Sequence, residues 1–287
     1  MEVRRDESLR LECVVSGGRP AAQIKWFRKS YELRAVDHAE VTNTEVPSGS
    51  GDIDSGVTEL TVTKSSISLR PNADDNNVAY TCEAHHPALD VPLRQTVVLS
   101  VLFPPGPPEI SGYNEGPVRM GDTLTLMCRS RGGNPLAQLV WYKNNEQVDF
   151  SYTTTNGRES SNSHTFIVEP SDNNAVYRCE ASSHPISPTP MITSVKLAVH
   201  YPPSKVIISG PREAKAGDNV TMVCTTTKSN PPAEVSFVVD GRAVIAENVV
   251  TADASGGFIT TANVTVSITN QVRPIAVFYT AIEGSHK

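Results

Sequence analysis

Cysteine and histidine are the residues of this 287-residue chain with the most chemistry to offer, as thiolate nucleophiles, disulfide partners or ligands of a soft cation. Five cysteines and seven histidines are present. His85 and His86 follow Cys82, and His184 follows Cys179. A zinc centre needs three or four converging ligands, and no Cys or His pair at ligand spacing accompanies these imidazoles. Pro87 and Pro185 come directly after them in stretches that read as hairpin connections. The three histidines are therefore expected as solvated loop groups, and no metal or cofactor is expected. Other reaction chemistry is equally absent: there is no G-x-S-x-G elbow, no phosphate-binding glycine loop and no helical H-E-x-x-H. The expectation is a protein without enzymatic activity.

The cysteines make better sense as braces. Cys128 shares its parity with Leu124 and Leu126, so the three side chains point to one face of a strand. Trp141 follows thirteen residues later with Leu139 on its face, and Tyr177 stands two residues before Cys179. The frame recurs upstream as Leu9, Leu11 and Cys13, then Ile24 and Trp26, then Tyr80 and Cys82. This order is the signature of an immunoglobulin sandwich, in which a disulfide joins two sheets, the indole packs against it and a corner tyrosine bonds back to the backbone of the preceding turn. The spacing pairs Cys13 with Cys82 and Cys128 with Cys179. In the chain-entropy account, loops of this size contribute about 4 kcal/mol each, and such bonds imply an oxidising compartment.

A third copy departs from the frame. Val220, Met222 and Cys224 alternate on one face, but Phe237 stands thirteen residues on where tryptophan is expected, and Val277 to Ala281 matches Val78 to Cys82 with Ala281 in the place of the second cysteine. Cys224 is left without a partner in its unit. Its parity places it in the core as a buried thiol; the alternative is a reactive thiol that pairs between molecules. The sequence also runs only six residues past Ala281, too few for a closing strand like the others.

These repeats divide the chain into three all-β, immunoglobulin-like units of the C2 or I-set kind, at 1–103, 104–201 and 202–287, with the third truncated before its last strand. Val97, Leu99, Val101 and Phe103 read as one final strand, stopped by Pro104-Pro105-Gly106-Pro107-Pro108. The same punctuation follows Val195, Leu197, Val199 and Tyr201 at Pro202-Pro203. Short proline connectors restrict bending and imply an extended rod. In the first unit, Ser48 to Asp52 is turn chemistry and reads as a long loop before a strand carrying Leu60 and Val62. A net charge of −6 gives no basic footprint for nucleic acid and disfavours anionic lipid. No apolar run reaches the length of a membrane span, and four charges within Met1–Asp6 exclude a signal peptide there. A cell-surface role would make this chain a fragment.

Two kinds of surface residue have candidate roles. Phe27 and Tyr142 follow the tryptophans on the outward side of their strands, where aromatics can serve as interface anchors or pack beneath neighbours. Lys25 and Arg28 beside Phe27 would suit an acidic partner. Asn219-Val220-Thr221 and Asn263-Val264-Thr265 are N-glycosylation acceptors. Val220, Met222 and Cys224, and likewise Val264, Val266 and Ile268, face inward, so Asn219 and Asn263 face out.

Several stretches resemble the nephrins, a family of cell-surface adhesion receptors with tandem immunoglobulin domains. They are Cys82-Glu83-Ala84 with Pro87-Ala88-Leu89, the run from Val101 through Pro108, Gly132-Gly133-Asn134-Pro135-Leu136-Ala137, and Tyr201-Pro202-Pro203 with Ile207-Ile208-Ser209-Gly210. The likeness holds in order through nearly the whole chain, departing at Phe237 and Ala281. It implies that the units are similar to the second, third and fourth domains of a nephrin-type ectodomain. It further implies a single-pass cell-membrane protein that binds in trans to irregular-chiasm type receptors (Kirre, Roughest or Neph), as in synapse specification, myoblast fusion and filtration-slit junctions, with lateral homophilic contacts also open. The partner contact in such receptors lies on the most membrane-distal domain, which this resemblance places ahead of Met1, so no contact residues carry over. An irregular-chiasm type receptor itself, or a secreted immunoglobulin-domain ligand or decoy, is the alternative.

Overall fold

The computed structural model describes residues 1–34, 42–48, 60–184, 186–239, 241–254, 256–269 and 277–282. Of the loop expected from Ser48 to Asp52, Ser48 ends a strand, and the rest lies in the stretch 49–59 outside the described residues. In the second unit, one sheet orders the strands Glu109–Ser111, Thr123–Arg131, Glu159–Ile167 and Thr153–Thr155. The facing sheet orders Glu146–Asp149, Gln138–Lys143, Val176–Ser183 and Ser187–Lys196. The first unit repeats this with a three-stranded sheet, Leu9–Gly18, Leu60–Leu69 and Thr42–Ser48, against Tyr31–Glu32, Gln23–Arg28, Ala79–His85 and Leu93–Val98. The third sets Val206–Ser209, Asn219–Thr226, Phe258–Ser267 and Glu247–Ala252 against Arg242–Val244, Glu234–Val239 and Val277–Ile282. All three are sandwiches of antiparallel sheets, as the alternating sequence requires: along Thr123–Arg131, for instance, Leu124, Leu126 and Cys128 are buried and the residues between them are not.

The cores follow the same alternation. Cys128 and Cys179 are joined across the sheets, as are Cys13 and Cys82. Trp141 is fully buried opposite Cys179, and Trp26 occupies the same place opposite Cys82. A buried indole N–H needs an acceptor. Trp26 donates to Ser65 Oγ at 3.0 Å and Trp141 to the carbonyl of Asn162 at 3.2 Å, each acceptor residue lying directly opposite the first cysteine in the neighbouring strand. Phe237 has no such donor, and Ala262 stands opposite Cys224. With phenylalanine in place of tryptophan, the third core has no indole N–H to satisfy.

Three expectations are corrected by the structure. First, the corner tyrosines bond to side chains and not to backbone. Tyr80 donates to Asp75 Oδ1 at 2.9 Å and Tyr177 to Asp172 Oδ1 at 2.8 Å. Each aspartate closes a one-turn 3₁₀ helix five residues before its tyrosine, Ala73–Asp75 or Pro170–Asp172, and a carboxylate outcompetes a carbonyl as acceptor. Secondly, the final strands are broken. Leu93–Val98 pairs antiparallel with Ala79–His85, but Ser100–Leu102 pairs parallel with Glu2–Arg4; Val199–His200 likewise pairs with Val118–Arg119. The chain leaves one partner for another while Leu99, Val101, Leu197 and Val199 stay buried.

Thirdly, the last strand of the third unit is displaced from its sequence match. Ala281 stands opposite Val235, as Ala84 stands opposite Ile24, and Tyr279 takes the place opposite Phe237 that a cysteine takes opposite each tryptophan. A shift of two residues keeps the same side chains on the same face, so only a covalent pin would forbid it. No disulfide supplies that pin here, because Cys224 is free and buried.

Burial would push the carboxyl of Asp172 up, but Lys143, the Glu169 amide and the Tyr177 hydroxyl together hold it below the ordinary carboxylate range. Asp75 is lowered in the same way by the Asn72 amide, Arg28 and Tyr80, against its own burial. Burial, then the bond to Asp75, pushes the Tyr80 hydroxyl up to about 12. A carboxyl depressed in the folded state contributes stability that is present above its unfolded value, near 4, and is lost as pH falls through the folded value. Tyr177→Phe removes one of the bonds that hold Asp172 down. The variant should lose about 1–2 kcal/mol near neutral pH and unfold at a higher pH than the parent in an acid titration followed by tryptophan fluorescence; an unchanged acid midpoint would show that this bond contributes nothing.

Candidate interaction faces and interdomain junctions

Two clusters of polar contacts lie between units. At the first junction the backbones of Phe103 and Asn134 exchange two hydrogen bonds, of 3.1 and 3.0 Å. The Asn134 carboxamide nitrogen donates to the Val101 carbonyl at 2.9 Å and approaches Asn76 Oδ1 and Ser100 Oγ, both at 3.2 Å. Asn76 Oδ1 also accepts from the Val101 amide at 3.0 Å, so one carboxamide oxygen serves both its own unit and the next. The connector is held as well: Gly106 donates to the Arg131 carbonyl at 2.7 Å and Ser130 Oγ donates to the Gly106 carbonyl at 2.8 Å. Gly133, at φ +91°, lies so close to the connector that a Cβ would meet Pro105 Cα at 2.9 Å.

The second junction repeats the asparagine bonds of the first. Tyr201 and Asn230 exchange backbone bonds of 2.8 and 3.0 Å. The Asn230 carboxamide nitrogen donates to the Val199 carbonyl at 2.7 Å and to Asn173 Oδ1 at 3.3 Å, while Asn173 Oδ1 accepts from the Val199 amide at 3.1 Å. The buried Tyr201 adds a hydroxyl bond to the Gly256 carbonyl at 3.3 Å. Sequence reasoning missed Asn76, Asn134, Asn173 and Asn230 as a set. The available signal was the repeated Asp-Asn-Asn ahead of each corner tyrosine together with the Asn-Pro of the following unit.

The outward aromatics occupy equivalent places, Phe27 opposite Thr81 and Tyr142 opposite Arg178, and both are half-buried. The Arg178 guanidinium covers the Tyr142 ring at 4.7 Å from its centroid, and Arg178 pairs with Glu180 at 3.1 Å. Burial and the neighbouring Glu180 carboxylate raise the Tyr142 hydroxyl. Lys25 and Arg28 are engaged inside their own unit, at 3.6 Å from Glu32 and 2.8 Å from Asp75. Of the histidines, His86 pins the turn, with Nε2 at 2.9 Å from the Pro20 carbonyl and Nδ1 accepting from the Ala88 amide at 3.1 Å. His85 lies 3.2 Å from Glu83, and of these three His184 is the exposed one. Among the described residues no three His, Cys, Asp or Glu side chains group as metal ligands. Asn219 and Asn263 are both exposed on the outward face of one sheet, on adjacent strands, with the bonded Thr221–Thr265 pair between them.

With these features placed, comparison with known proteins gives them a family. The protein-family model for the CD80-like C2-set immunoglobulin domain matches residues 1–92 and 203–274, and that for the immunoglobulin domain matches 107–183. Nephrin of Rattus norvegicus is 32% identical over 257 residues, which cover 88% of this chain and 20% of that protein. The chain belongs to the nephrin family of immunoglobulin-domain proteins. It spans about a fifth of the length of the nephrins it matches. Cell adhesion molecule 2 of Xenopus tropicalis is 30% identical over 192 residues (64% of this chain, 42% of that protein) and Kin of IRRE-like protein 2 of Mus musculus 27% over 186 (62% and 26%). Among solved structures, the three-domain titin I67–I69 E-to-A variant has a TM-score of 0.55 at 18% identity, covering 98% of this chain and 93% of that one, a likeness of fold.

Two outcomes are expected. Gly133→Ala places a Cβ on a left-handed backbone, which costs about 1–2 kcal/mol, and drives it against Pro105; calorimetry should show the second unit melting earlier, and an unchanged melt would mean that the loop and connector do not pack closely. Burial raises the Cys224 thiol, so a thiol reagent should modify it only in denaturant. Rapid reaction of the folded protein would contradict the buried position.

Proposed function

We propose that this chain is part of the extracellular region of a cell-surface adhesion receptor, without enzymatic activity, that takes part in cell–cell recognition by binding irregular-chiasm type receptors in trans. The observation that carries this reading is the ordered likeness to nephrins across all three units and both connectors, together with relatives named as a cell adhesion molecule and as Kin of IRRE-like proteins. The two inter-sheet disulfides favour an oxidising, extracellular setting. In this reading the role of the units is spatial: the sandwiches, the first two braced by disulfides, hold a recognition surface at a set distance and orientation from the membrane. Phe27 and Tyr142 are the aromatic positions offered for contact on their sheets, with Tyr142 already covered in part by Arg178.

Asn219 and Asn263 carry glycans in this proposal, and their shared face on the third unit is then shielded against close lateral packing. Secreted from animal cells, the chain should lose mass at two sites on glycosidase treatment; an unchanged intact mass would remove the glycans from the reading. The adhesion proposal itself is tested by mixing cells that express the complete gene product with cells that express an irregular-chiasm type receptor. Mixed aggregates are expected, and their absence, with both proteins at the surface, would overturn it.

A further inference from the structure

The two junctions use the same four positions, and the sequence shows where that set is complete. Its upstream half is an Asp-Asn-Asn run, Asp75-Asn76-Asn77 before Tyr80 and Asp172-Asn173-Asn174 before Tyr177. The aspartate anchors the run to the tyrosine hydroxyl. The third residue, Asn77 or Asn174, turns the chain at φ 60° or 65° and donates its amide to Leu99 or Leu197. That leaves the middle carboxamide aimed past the last strand at the next unit. The downstream half is Asn-Pro in the loop after the first core strand of the next unit, Asn134-Pro135 or Asn230-Pro231.

We propose that the two halves form an interdomain lock that fixes the angle between consecutive units, so that the three units tilt as one body. The lock is narrow in its chemistry. The downstream residue must exchange two backbone bonds with Phe103 or Tyr201 and also bring a short side chain with N–H donors to a carbonyl and a carboxamide oxygen. Asparagine does this and aspartate, which has no donor, does not. Rotation beyond hydrogen-bond tolerance breaks all of these bonds together, so the junction has one deep minimum and not a range of angles. Because both junctions contain the same asparagine bonds, one rotation is repeated from unit to unit, as in stacked repeats. The first unit carries Arg19-Pro20 in the matching loop, with Arg19 exposed, and in sequence Pro274-Ile275-Ala276 stands where Asp-Asn-Asn would precede Tyr279. Neither of these positions has the residues of the lock.

The test is single-molecule energy transfer on the full 287-residue chain, with fluorophores introduced through noncanonical amino acids at exposed sites. One pair, at Glu12 and Gln147, reports on units one and two; a second, at Gln147 and Thr265, reports on units two and three. The parent should give one narrow distance distribution for each pair. Asn134→Asp should broaden the first and leave the second narrow, and Asn230→Asp should do the converse. Asn230→Arg, which copies the residue found in unit one, should also broaden the second. Thermal melts that retain the parent's transitions establish that the units remain folded. Broad distributions in the parent, or narrow ones in all three variants, would overturn the proposal.

Discussion

The indole of Trp141 sits in the gap between two sheets that share no backbone hydrogen bonds, and the sandwich depends on filling that gap without stranding a polar group. Its N–H reaches the Asn162 carbonyl, the adjacent disulfide ties the two sheets, and Leu126, Leu139, Leu197 and Val199 close around them. An indole left without an acceptor would cost more than the bond contributes when made, because a buried, unsatisfied donor loses its hydration for nothing. The first unit meets the same demand with Ser65 and the third removes it, with Phe237 in place of the indole. Among the described residues, Cys224, Val235, Phe237, Ala262 and Val264 are buried together in the third core. Without a covalent pin, the register of its last strand follows side-chain alternation alone.

The same demand for polar satisfaction operates at the ends of the sandwiches and there becomes interdomain structure. The final strand of each of the first two units stops at an aromatic residue, Phe103 or Tyr201, whose amide and carbonyl would otherwise face water or nothing. The next unit supplies both partners through an asparagine backbone and fills the remaining acceptors with its carboxamide. The prolines of the connector limit the available angles; the asparagine bonds select one of them. In the adhesion role proposed above, the placing of a binding surface depends on that selection as much as on the surface itself.

Much of this was legible from residue types. The Cys…Trp…Tyr-x-Cys spacing identifies the sandwich because a two-sheet core constrains which positions can bear a disulfide and a large ring, and period-two alternation identifies the buried faces. The tyrosine corners were legible as positions but not as bonds. Their acceptors, Asp75 and Asp172, come into reach only when a single 3₁₀ turn folds them back over the ring. The charges beside Phe27 looked free for a partner; the fold brings Glu32 to Lys25 and Asp75 to Arg28.

What the sequence by itself determined is therefore the set of sandwiches, their cores and their family, since these rest on local periodicity and on spacing along one strand or between two. Only the tertiary structure decided how the units are joined. Asn76 and Asn134 are 58 residues apart, and the repeated Asp-Asn-Asn and Asn-Pro runs mark the two positions without showing that they meet. Their meeting depends on the path of the final strand across Val101, on the turn that points one carboxamide outward and on the close approach that Gly133 permits. Bonds across such separations are fixed by packing in three dimensions, to which a one-dimensional pattern is blind.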